Sequence, residues 1–152
     1  MSDLPAFNEF GDLPVGLHRI SLAGAIAHFG TGTGQRCRVG GRLARIHALA
    51  ISTARLRRFI VFGSFVTDKA EPGDVDVFLV MENDFDVGTV TGEARHVFDH
   101  MAAHNLLGAS VFWVPRAACF GGEDEAVLFW QTKRDGKPRG IVEITGHDRE
   151  QR

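Results

Sequence analysis

The chain has 152 residues, 44% of them hydrophobic and 24% charged, a balance that suits one domain long enough to bury roughly 68–70% of its unfolded surface without a disulfide or metal staple. Cys37 and Cys119 make neither a CxxC pair nor a zinc-like spacing, no apolar run approaches the roughly 20 residues of a membrane span, and nothing at the N-terminus reads as a signal peptide, so a reducing cytoplasm is the expected compartment. The net charge is only −2 but unevenly spread: Leu13 to Thr67 holds eight arginines and no acid, whereas residues 68–152 hold nine basic and sixteen acidic residues. This asymmetry suits either a polyanionic ligand or neutralisation of one half by the other.

Residues 1–20, with Gly11, Gly16, Pro5 and Pro14 among scattered apolar residues, predict an extended arm laid on a single domain spanning 1–152. Ser21 caps a short predicted helix in which Leu22, Ile26 and Phe29 recur at helical spacing, and Gly30 ends it. The GTGTGQ that follows comes after a helix rather than a strand and lacks a Lys-Ser/Thr pair, so it reads as a linker. Val39, Leu43, Ile46 and Ala50 set one stripe of a helix from Gln35 to about Arg55, with Arg38, Arg42 and Arg45 off the stripe and Gly40-Gly41 as a weak point or kink.

The stretch RFIVFGSFVTDKAEPGDVDVFLVM, residues 58–81, is the centre of the sequence. Phe59 to Phe62 read as a buried strand that Gly63-Ser64 terminates in a sharp turn. A Pro-Gly turn leads to a second strand from Asp74 to Val80, and a period of two puts Asp74 and Asp76 on one face with Val75 and Val77 on the other. Two adjacent carboxylates repel unless a hard cation such as Mg²⁺ lies between them.

Farther on, Glu93–Leu106 predicts a helix whose flank carries His96, His100 and His104 four apart, a spacing open to metal but read as a solvated edge because nothing completes a ligand set. Ala109–Val114 is a third strand closed by Pro115. Ala126–Thr132 and Arg139–Ile144 are strand-like runs around Asp-Gly and predict a C-terminal β-hairpin.

The Gly-Ser after a strand, followed by Asp-x-Asp on the next, resembles the signature of the DNA polymerase β nucleotidyltransferase superfamily. GSFVTDK, DVDVFLV, the early LPVGLH and the late GIVEI are similar to a family of small bacterial nucleotidyltransferase-like proteins. The resemblance implies an α/β (α+β) minimal nucleotidyltransferase fold: a short mixed sheet with helices packed on one face. It implies that Gly63 and Ser64 hold a nucleoside triphosphate, with Lys69 as a further phosphate contact, and that Asp74 and Asp76 ligate Mg²⁺. Two ions would then clamp the displacement of pyrophosphate while an RNA, protein or small-molecule hydroxyl attacks.

A two-metal site takes three carboxylates, and the third strand has Ser110 where the resemblance calls for the third. Glu143, in GIVEI, is the remaining candidate for catalysis beside Asp74 and Asp76. Two alternatives to an active transferase follow: a degenerate binding module, antitoxin-like or regulatory, and an RNA-binding protein that uses the arginine-rich half.

Overall fold

Two apolar strands form the middle of the structure because their residues are buried on both faces. A computed structural model describes residues 4–146, so residues 1–3 of the expected arm and 147–152 of the expected domain lie outside the described residues. Strand β1 (Gly16–Ser21) is followed by α1 (Leu22–Phe29), α2 (Gly34–Ile51), β2 (Leu56–Phe62), β3 (Val75–Met81), α3 (Ala94–Val97), α4 (His100–Ala102), β4 (Ala109–Pro115), α5 (Glu123–Leu128) and β5 (Gly140–Thr145). The five strands form one mixed sheet in the order β1-β5-β2-β3-β4, and the fold is α+β. β2 pairs antiparallel with β3 and β5, while β1–β5 and β3–β4 are parallel.

Alternation divides the sheet into two faces. Phe59, Val61, Val75, Val77, Leu79, Val142 and Ile144 pack under α1 and α2 in the main core, with Val97, Ala103 and Leu107 from the α3–α4 region. Ile60, Phe62, Phe78, Val80 and Ile141 face the other way, beneath Val127 of α5 and Trp130. The expectation of helices on one face therefore holds for the longer helices, and α5 is an addition on the second.

The caps follow the sequence. Ser21 Oγ accepts from Gly24 N at 3.0 Å, and Thr33 Oγ1 accepts from Arg36 N at 3.1 Å. α2 runs unbroken through the Gly40-Gly41 pair. A Cβ on Gly40 would come 3.0 Å from the Cα of Gly30, so glycine here lets the end of α1 cross α2 closely.

Three expectations are corrected. The arm ends at residue 15, and Gly16–Ser21 is an edge strand parallel to β5. The helix expected over 93–106 breaks at Asp99, which is extended (φ −120°, ψ 112°) and caps the next turn by accepting from Ala102 N. The chain then winds as a wide π turn over Ala103–Leu107. The C-terminal hairpin is absent as a pair of strands: residues 123–128 are helical, with three acids in the first turn, where the helix dipole favours them. Only the bridge Thr132–Pro138 survives as strand pairing there. β5 instead inserts between β1 and β2, where its apolar residues are covered on both faces.

Candidate functional site

The second face of the sheet ends, at the C-terminal tip of β2 and the start of β3, in the Gly-Ser turn and the acid pair. Asp76 lies opposite Phe62 of β2 on one side and Ser110 of β4 on the other. Asp74 immediately precedes β3, and Val75 and Val77 between and after the acids are fully buried in the main core. Gly63 sits at φ +83°, a conformation that side chains disfavour. A Cβ there would fall 2.0 Å from Asp76 Oδ2, so the turn and the carboxylate share one space that only glycine leaves open.

Burial and the neighbouring Asp74 push the Asp76 carboxyl up to about 6, with Arg139, the Ser110 hydroxyl and Arg134 pulling it back down. Arg139 is itself tightly held. Its Nε donates to Trp130 O at 3.1 Å and its guanidinium carbon lies 5.1 Å from the Phe62 ring centroid. Burial lowers its pKa, against the nearby Asp76, Asp12 and Asp135. Asp74 Oδ2 meets His104 Nδ1 at 3.2 Å. The break at Asp99 separates the histidines: His100 Nδ1 lies 3.3 Å from Val111 O.

The loop from Ser64 to Lys69 is fixed from below by a residue that the sequence disguises as one of an arginine series. Arg36 is buried and donates to four backbone carbonyls: Phe29 at 3.0 Å, Phe65 at 2.9 Å, Thr67, and Lys69 at 2.6 Å. Ser64 opens a 3₁₀ turn directly after Gly63, and its carbonyl accepts from Thr67 Oγ1 at 2.7 Å. From the other side, Asp68 N donates to Gly11 O at 2.9 Å. Lys69 stands at the exposed end of this loop.

Glu143 is not brought to the pair. It shares the face of Asp76, but its register partner is Ile60, two residues along β2 from Phe62 and one strand farther over. Strand spacing and rise then put it about 12 Å from Asp76 along the sheet. There it is buried and bound by Arg58 (Nη2 at 2.9 Å, Nε at 3.0 Å) and by Arg19 Nε at 3.2 Å. These charges line a cleft of about 750 Å³ at the opposite end of the strands, with Arg57, Glu82, Glu123 and Asp124.

The arginine-rich half is largely matched by the acidic half. Arg45 pairs with Glu93, Arg55 with Asp84, Arg57 with Glu82 and Glu123, and Arg58 with Glu143 and Asp124. Arg38 donates to Gln35 Oε1. The cations that reach the acid pair are Arg134 and Arg139 instead, from the turn before β5. Sequence reading placed Arg134 in the hairpin turn and Arg139 at the start of the strand after it, although four cations in the seven residues KRDGKPR were a usable signal.

The donor set fits one Mg²⁺. Two carboxylates supply what such an ion takes from protein when phosphates and water complete its shell, and Asp76 is held in a mismatch that a cation would relieve. Among the described residues no group of three His, Cys, Asp or Glu is placed to hold a metal ion. No helix among the described residues is long and apolar enough to cross a membrane.

No curated protein and no solved structure matches the chain. The profile of a family of unknown function, DUF6932, matches residues 5–145, a span that contains every residue of this site, and the chain belongs to that family.

Proposed function

We propose that the chain is a nucleotide-binding module that takes a nucleoside triphosphate with one Mg²⁺ at Asp74 and Asp76 and does not carry out nucleotidyl transfer. The supporting observation is Ser110, a neutral hydroxyl directly across from Asp76, where a two-metal site needs a third acid. A serine hydroxyl is neither a base nor a strong metal ligand at neutral pH. The bound ion would neutralise the carboxylate pair and the phosphate oxygens together. Gly63 leaves room for the Asp76 carboxylate against the turn, Ser64 would offer a hydroxyl to the phosphates, and Arg134 and Arg139, whose charges already act on Asp76, would help balance theirs.

Nucleotidyl transfer to an RNA, protein or small-molecule hydroxyl is the second reading.

Calorimetry and label transfer separate the two. Wild-type protein is expected to bind Mg²⁺–triphosphate, and Asp74→Asn/Asp76→Asn protein to lose that binding. Neither is expected to pass label from α-labelled triphosphates to cell-extract RNA or protein. Equal binding by both proteins would remove the site, and metal-dependent label transfer by wild type would replace the module with the enzyme.

A further inference from the structure

Beside the acid pair, the second face of the sheet carries an aromatic cluster whose inner rings belong to the core and whose outer rings, Phe112 and Phe129, are exposed as a shelf. Trp130 stacks on Phe62 with centroids 4.4 Å apart and 26° between planes, and it touches Phe112 at 5.1 Å and Phe129 edge-on at 5.2 Å. Phe112 lies two residues beyond Ser110 on the same face of β4. Phe129 is 69% exposed and Phe112 39%, whereas Phe62 and Phe78 of the same cluster are buried. The shelf adjoins the cations as well as the acids, since Arg139 bonds the carbonyl of Trp130 and lies over Phe62.

A phosphate ligand held at Arg134, Arg139 and the carboxylates would therefore project whatever it carries over flat apolar rings. We infer that the nucleobase of the ligand stacks on this shelf, chiefly on Phe129 and Phe112, and that the site accepts all four bases. This rests on the nucleotide reading above and adds its specificity. Stacking is base-tolerant because every base has a π face. A single aliphatic surface would bury area without that preference for planar rings.

Binding of Mg²⁺ with ATP, GTP, CTP, UTP or inorganic tripolyphosphate, followed by calorimetry and by tryptophan fluorescence, tests it. The four nucleotides are expected to bind within several-fold of one another and more tightly than tripolyphosphate, and to quench Trp130 where tripolyphosphate does not. Phe129→Ala should weaken every nucleotide by roughly 5- to 150-fold, the range for loss of one base–aromatic stack, and leave tripolyphosphate unchanged. Phe129→Trp should retain nucleotide affinity. Tripolyphosphate binding as tightly as the nucleotides, or a Phe129→Ala protein with undiminished nucleotide affinity, overturns the shelf and leaves the phosphate site standing. Absence of binding by nucleotides and tripolyphosphate alike overturns both.

Discussion

Replacing Asp76 with Asn should stabilise the protein at neutral and alkaline pH, and the gain should vanish in acid. The carboxyl is pushed from its ordinary 3.8 up to about 6 by burial and by Asp74, so the folded state holds its proton where the unfolded state has released it. Stability contributed by that proton is full below about pH 4, falls as pH rises through about 6, and is gone above it. A shift of about two units corresponds to about 3 kcal/mol, which Asn, having no charge to lose, does not forfeit. For a chain of this length that is a rise in Tm of roughly 6–12 °C. Thermal unfolding in chelator at pH 4 and pH 8 measures it, with the two proteins expected to melt together at the lower pH. Addition of Mg²⁺ and a triphosphate at pH 8 should raise the wild type and not the variant, because a ligand stabilises only the state that binds it. A variant no more stable than wild type at pH 8, or a gap of the same size at both pH values, would refute the argument.

Arg36→Leu should cost about 3–5 kcal/mol in urea unfolding, since it leaves carbonyls of Phe29, Phe65, Thr67 and Lys69 without their donor. Arg36→Lys should recover only part, an ammonium being unable to reproduce the guanidinium fork; a Leu variant within 1 kcal/mol of wild type would count against this role. Glu143→Gln should destabilise by roughly 1–3 kcal/mol, because it takes a carboxylate partner from part-buried Arg58, which keeps Asp124, and from Arg19, while Mg²⁺–triphosphate affinity, read by calorimetry on folded protein, stays at the wild-type value. A loss of affinity with unchanged stability would instead return Glu143 to the site.

The central strands were legible because Phe59–Phe62 and Val75–Val80 satisfy a local rule, burial on both faces, and because the period of two fixed which face Asp74 and Asp76 share. Ser21 and Thr33 cap their helices through bonds that span three residues. What the sequence concealed was long-range. Ala126–Thr132 has the apolar content of a strand, but three acids at its front and a sheet face waiting to be covered favour a helical turn. Asp99 breaks a periodic helix because its side chain competes for a backbone donor. Glu143 looked available as a third acid until register placed it two residues from Asp76's level, against Arg58 and Arg19. Arg36 looked like Arg38, Arg42 and Arg45, and only the fold turns it inward.

The placement of β5 between β1 and β2 also sets an order of assembly. β2, β3 and β4 occur consecutively and can pair as soon as they are made, whereas β1 waits for a partner some 124 positions later in the chain, the separation of Arg19 and Glu143. Contacts at that range close a long loop and slow folding. Until Gly140–Thr145 arrives, the apolar outer edge of β2 around Phe59–Val61 presents unpaired backbone groups, the kind of edge on which chains join one another. β5 therefore also covers an edge that a nascent chain leaves open until Gly140–Thr145 docks, an interval in which self-association is favoured.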